Sequence, residues 1–230
     1  MLIKNKEKFN SENNRQYTYR VLKENIMNLT FKPGEGISES ELATFLNVSR
    51  TPIREAFSKL KTEHLIKVFP QKVSFVAEID LDFVEEAFFM RNVLEHEVLK
   101  LACENFSSEA LVELEKNLHL QEFQAKFGED QVELFNLDNE FHKIIYEEVN
   151  KKKVWKAIQQ MNGHYNRIRL IDVLEKTNLE KTLEQHREII DIIKNKDFDK
   201  IDDIVSAHLS NFKHKIPYFQ EIHPEFFTKK

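Results

Sequence analysis

Four residues offer the most specific chemistry in this chain: Asp138, His142, His186 and His208. Each interrupts an apolar stripe at helical spacing. One stripe runs Leu134, Asp138, Phe141/His142, Ile145; a second runs Leu183, His186, Ile190, Ile193; a third runs Ile201, Ile204/Val205, His208, Phe212. Stripes of this period face neighbouring elements, so the four ionisable groups point toward the side that should be covered. Burying such groups is costly unless they find partners. One divalent ion would serve them all. Asp138 and His142 stand four apart and share a helix face, which lets two side chains chelate together. Three imidazoles and a carboxylate suit zinc, nickel or a similar first-row ion. Arg91 interrupts a further stripe (Val84, Ala87/Phe88, Leu94, Val98) and would suit the carboxylate of an organic acid. His164, Arg167 and Arg169 lie close together on one helix, and Arg169 joins Arg91 as a candidate effector-binding cation. Structural readings stand beside these. Stripe histidines can be core residues bonded to backbone, and Asp138 can pair with Arg91 directly.

A second constellation sits near the start. Arg50 and Arg54 are four apart at the front of an apolar-faced segment, with Ser49 and Thr51 beside them. Arginine can donate twice to guanine or clamp a phosphate, and hydroxyls reach phosphate oxygens. The same pattern also suits a surface helix with two solvated arginines.

The elements that must position these groups can be read from period and punctuation. Tyr17, Val21, Leu22, Ile26 and Leu29 predict a first helix, which Phe31-Lys32-Pro33-Gly34 interrupts. Ser38 with Glu41 three residues later predicts the N-terminus of a short helix reaching Leu46, and Asn47 suits the turn that follows. Ser49-Arg50-Thr51-Pro52 starts another helix, to about Glu63, with Pro52 harmless in its first turn. Two short helices across a tight turn form a helix-turn-helix, whose second helix presents its N-terminal part to the major groove. Leu65–Phe69 and Val73–Ala77 then predict a two-stranded wing around Pro70-Gln71-Lys72. From Asp80 onward the pattern is helical, with breaks near 105–108, 128–130, 150, 177–178 and 195–197, so about six helices are expected.

Composition agrees with a mainly all-α protein. Only four Gly and five Pro occur in 230 residues, which favours helices with short connections over a loop-rich fold. No apolar run approaches the roughly 20 residues that cross a bilayer, and residues 1–14 lack the apolar core of a secretory signal. A single cysteine, Cys103, excludes an intramolecular disulfide framework and Cys-rich zinc modules, so a cytoplasmic location is expected. The net charge of −5 hides an asymmetry: residues 1–80 carry 13 basic and 10 acidic side chains, the remainder 21 and 29. A mildly basic head on an acidic body suits a protein whose head alone meets polyanions.

The run Pro33-Gly34 … Ser40-Glu41-Leu42-Ala43 … Leu46-Asn47-Val48-Ser49-Arg50-Thr51-Pro52-Ile53-Arg54-Glu55-Ala56 resembles the winged-helix signature of GntR-type regulators. The resemblance implies that Ser49, Arg50, Thr51 and Arg54 take DNA-contacting positions. His64 departs from it by standing where the family usually has glycine. The wing also lacks the common glycines and offers Lys72 as its only obvious cation for DNA. Farther on, Arg91-x-x-x-Glu95, Asp138-x-x-Phe141-His142, His186-Arg187-x-Ile189 and Ala207-His208-Leu209 resemble the FCD effector domain of the same family. In many of its members the matching Asp and three His bind a metal on which an acid effector sits, and all four positions are filled here. The six-helix count resembles a shorter subgroup of that domain, which implies a small carboxylate effector.

The sequence thus reads as a flexible tail at 1–14, a winged helix-turn-helix at 15–78, an all-α antiparallel bundle at 79–222 for effector binding and dimerisation, and a C-terminal tail at 223–230. The expected function is transcription regulation: a homodimer on palindromic operator DNA, controlled by a small organic acid at a divalent metal, zinc or nickel, and away from any membrane. A helical metal-dependent enzyme and a DNA-binding dimer without an effector are the alternatives. No nucleophile elbow, Gly-rich phosphate loop or clear general base beside the four ligands supports the enzyme.

Overall fold

The computed structural model describes residues 3, 7–69 and 73–229. The chain divides into two units, residues 1–82 with 219–230, and residues 83–218.

In the first unit, α1 (Asn14–Met27) begins at Asn13, which exchanges side-chain and backbone bonds with Gln16 in a capping box. Its Tyr17, Val21, Leu22 and Ile26 are buried. Leu29 differs from the expected stripe: the helix has ended, Leu29 adopts φ +59°, and Phe31 fills the core instead. The Phe31 N–H, bonded to the Asn25 carbonyl, fixes that turn. Next come β1 (Gly36–Ile37) and α2 (Glu39–Phe45), where Ser38 accepts from the Glu41 N–H. Asn47 at φ +52° makes the tight turn into α3 (Arg50–Thr62), as its short amide side chain permits. His64 follows α3 at φ +56°. That left-handed backbone is the physical reason glycine is favoured at this place.

The wing is larger than the sequence pattern suggests. β2 (Ile66–Lys67) and β3 (Ser74–Val76) pair antiparallel, and β1 adds a third strand on the other side of β3, pairing Gly36 with Phe75. A two-residue strand carries too little periodicity to be read from sequence. The C-terminal segment 219–230 also belongs to this unit. Ile79 donates to the Phe226 carbonyl at 2.7 Å and accepts from the Thr228 N–H at 3.1 Å, and Phe219, Phe226 and Phe227 are buried.

The second unit is all-α. It is built from α4 (Leu81–Glu104), α5 (Ser108–Phe127), α6 (Gln131–Glu148), α7 (Lys152–Met161), α8 (Gly163–Leu174), α9 (Leu179–Asn195) and α10 (Ile201–Leu209). The short α11 (Ile216–Ile222) follows and ends in the first unit. Seven helices therefore stand where about six are expected before the tail. The additional break falls at Asn162-Gly163, a weak helix-forming pair inside a segment whose apolar period continues on both sides. Ser107 and Asp130 cap α5 and α6 by accepting from backbone N–H groups two and three residues ahead. Val98, Leu99, Phe141, Ile145, Trp155, Ile189, Ile190 and Val205 are among the buried residues that join these helices in one core. Among the described residues, no helix is long and apolar enough to cross a membrane.

Candidate nucleic-acid interface and metal centre

Helix α3 has two faces. Ile53, Ala56, Phe57 and Leu60 are buried with the α1 residues Val21, Leu22 and Ile26 in one core. Ser49, Arg50, Thr51 and Arg54 are exposed at its N-terminal end. Ser49 occupies the N-cap position without a side-chain cap bond. Arg54 donates through Nε to Glu39 Oε2 at 3.0 Å, an exposed pair of the kind that contributes little to stability. Four donors thus share one open helix end, where backbone N–H groups and the helix dipole also favour phosphate. Lys72 lies outside the described residues.

In the second unit, α6 brings Asp138 and His142, α9 brings His186 and α10 brings His208 to one place. All four are buried, and one ligand atom from each lies within 4.8 Å of all the others. The Nε2 atoms of His142 and His208 are 3.1 Å apart, and His186 Nε2 lies 3.7 Å from Asp138 Oδ1.

Each of these side chains is held from behind. His142 Nδ1 lies 2.9 Å from Glu95 Oε2, His186 Nδ1 lies 2.9 Å from Gln121 Oε1, and His208 Nδ1 lies 3.3 Å from Gln185 Oε1. All three partners present an oxygen, and the tautomer that satisfies them has the proton on Nδ1 and a lone pair on Nε2. The amides are themselves oriented: Gln121 donates to Asn117 Oδ1 at 2.7 Å, and Asn211 donates to Gln185 Oε1 at 2.5 Å. Asp138 receives Arg169 Nη2 on Oδ2. Second contacts of this kind fix tautomer and ring orientation at metal sites.

The donor set fits a divalent cation. The Nε2 atoms of His142 and His208 face each other at 3.1 Å, and the buried His186 Nε2 has no hydrogen-bond partner. Burial pushes the His186 pKa down to about 3, and burial together with the neighbouring imidazoles pushes His208 well down, so both stay neutral as ligands must. Burial alone would raise the Asp138 pKa; the Arg169 guanidinium together with His186, His142 and His208 outweighs it and holds the carboxyl well below the usual range.

The two candidate effector cations sit differently. Arg91 is fully buried and pairs with Glu95, its Nε donating to Oε1 at 2.6 Å. The direct Arg91–Asp138 pairing, an alternative reading of the sequence, is replaced by two separate pairs, Arg91–Glu95 and Arg169–Asp138. Arg169 lines a cavity of about 40 Å³ with Asp138, Tyr165, Asp172, Thr182 and His208. A second cavity of about 20 Å³ has Glu95, His142, Tyr146 and His208 among apolar walls. Sequence reasoning missed Gln121 and Gln185 and gave Glu95 no role. A signal existed for Gln121, which with Asn117 forms an i, i+4 amide pair in the buried stripe Ala110, Leu114, Leu118 of α5. Gln185 gave none, because it serves His208 rather than its chain neighbour His186.

Comparison with known proteins matches residues 86–211 to the FCD domain and residues 14–76 to the gntR family of bacterial regulatory proteins. The chain belongs to the GntR family. It is a transcriptional regulator whose DNA-binding head is followed in sequence by an FCD effector-binding domain. The HTH-type transcriptional repressor RspR of Escherichia coli K12 is 27% identical over 94% of each chain. An HTH-type regulator from an unstable DNA locus of Streptomyces ambofaciens is 31% identical, covering 95% of this GntR regulator and 92% of its relative. Among solved structures, E. coli McbR/YncC is similar with a TM-score of 0.75 at 25% identity, covering 91% of this chain and 99% of that one. These relatives are transcriptional regulators, not enzymes, which removes the enzyme alternative.

Proposed function

We propose that this GntR regulator binds palindromic operator DNA as a homodimer through α3, and that a small carboxylate effector at a divalent metal, zinc or nickel, sets its operator affinity. The reading places its action in the cytoplasm, where operators are. The observation that carries the metal is the set of four converging, individually braced donor atoms. Asp138, His142, His186 and His208 would hold the ion, which when bound would supply positive charge for an acid. Arg169, on the wall of the larger cavity, would take the acid's carboxylate. That cavity is far below the roughly 300–1,000 Å³ of drug-sized ligand sites, which favours an effector of few heavy atoms. Dimerisation through the helical domain is supported by Leu120, Phe123 and Phe127, exposed at helical spacing on α5. Effector binding would favour one placement of the paired heads and so change operator affinity.

The test is an operator titration of zinc-loaded protein by fluorescence anisotropy with lactate, malate and other small acids. Elemental analysis of chelator-free preparations accompanies it. About one equivalent of metal per chain and an acid-dependent shift in operator affinity are expected. A protein that takes up no zinc or nickel, or whose operator affinity no acid changes, sinks the corresponding half of the reading.

A further inference from the structure

Arg91 is not among the residues lining the two cavities described above, although its charge and burial suggest an anchor for an acid. Its position on α4 gives it further work. Arg91 and Glu95 stand one helical turn apart on the same buried face. Glu95 divides its two oxygens: Oε1 accepts from Arg91 Nε at 2.6 Å, and Oε2 lies 2.9 Å from His142 Nδ1. The contact orders the chain Arg91, Glu95, His142, with His142 Nε2 at its far end among the four converging donors.

Resting on the reading of that cluster as a metal centre, we propose that Glu95 is the positioning residue for His142 and that Arg91, as its charge partner, is part of the metal scaffold. The three imidazoles are braced unequally. His186 and His208 each lean on a neutral glutamine, whereas His142 leans on a carboxylate. A carboxylate behind a ligating imidazole fixes its tautomer and makes the opposite nitrogen a stronger donor. That carboxylate is tolerable in the core only because a cation stands beside it. Arg91 supplies that cation. Glu95, which Arg91 holds, also lines the smaller cavity beside His142 and His208. Arg169 lines the cavity that adjoins Asp138 and His208, its Nη1 donating to Asn139 and Asn166 and its Nη2 to Asp138.

Zinc affinity of the full chain, measured by competition with a chromophoric chelator, tests this. Arg91→Met alone would leave the Glu95 charge buried without a partner, so the informative variants are Arg91→Met/Glu95→Gln and Glu95→Asp. The first removes both charges together and keeps an acceptor behind His142. The second keeps the ion pair and withdraws the carboxylate from His142. Both are expected to weaken zinc binding about 10–100-fold and to alter the visible spectrum of the cobalt(II)-loaded protein. Thermal unfolding of the metal-free variants serves as the control for folding. Wild-type zinc affinity and an unchanged cobalt spectrum in either folded variant, with His186→Ala losing zinc, would overturn the assignment. A wild-type protein that takes up neither zinc nor cobalt overturns the metal reading itself, and this inference with it.

Discussion

His142 Nε2 and His208 Nε2 face each other at 3.1 Å, each ring's other nitrogen already committed to an acceptor. Two imidazole nitrogens backed in this way are placed to share a cation. Removing bound metal should therefore lower the melting temperature, since a ligand that binds only the folded state stabilises it. The effect is about 2.7 kcal/mol at a free metal concentration 100 times the dissociation constant. His186→Ala should lose most of the metal and the metal-dependent part of stability while still binding operator DNA without effector. Calorimetry of wild type and variant, with and without zinc, measures both. A melting temperature indifferent to zinc in the wild type would reduce the cluster to core histidines.

Arg50→Ala and Arg54→Ala should each weaken specific operator binding by about 1–3 kcal/mol if they contact bases. Their exposure means that folding should hardly change, and the Arg54–Glu39 pair lost in the second variant is a surface pair. Anisotropy titrations at matched salt against operator and scrambled DNA decide the point. Wild-type affinity in both variants would leave α3 without its assigned reading residues.

The head and the cluster differ in how far they are legible in sequence. Helices α2 and α3 are marked at their starts and by the turn between them, because Ser38, Pro52 and Asn47 each have a local conformational reason to be there. The four converging ligands are legible because a polar residue in an apolar stripe is costly to bury and must meet a partner there. Their braces are not. Gln121 and Gln185 reach histidines 65 and 23 residues away in sequence, and only the packing of α5, α9 and α10 brings them together. Strand β1 was hidden for the same reason, since Gly36 and Ile37 are strand-like only through their partner β3.

Asp172 gives a pH-dependent expectation. Burial raises its pKa above the ordinary value of 3.8, although Thr177 and Asn178 donate to its Oδ1. A carboxyl whose folded-state pKa is raised contributes stability at low pH that is lost as the pH rises through that raised value. The ionised form is therefore a liability at neutral pH. Asp172→Asn, whose Oδ1 can still accept both bonds, should melt higher than wild type at pH 7. The difference should shrink as the pH is lowered toward 3.8. Equal melting temperatures at pH 7, or a gap that widens on acidification, contradict this account.

The C-terminal segment is the place where chain order and structural membership part. The sequence pattern leaves 223–230 as a tail, yet Phe226 and Phe227 are buried, and the backbone of Ile79 bonds to Phe226 on one side and Thr228 on the other. The chain thus leaves the first unit after Asp82 and returns to it at Phe219. Two aromatic side chains and two backbone bonds should contribute measurably to a unit of this size, whose own core is small. Large-to-small changes at buried phenylalanines typically cost about 3–5 kcal/mol. Phe226→Ala/Phe227→Ala should accordingly destabilise the DNA-binding head and weaken operator binding through the loss of folded head, while zinc binding by the helical domain is retained. Hydrogen exchange resolves the two units: faster exchange is expected across α1–α3 and the sheet, with α6, α9 and α10 unchanged. Unaltered exchange in the head would show that these phenylalanines add nothing to its stability, and the segment would then be a tail in energetic terms despite its burial.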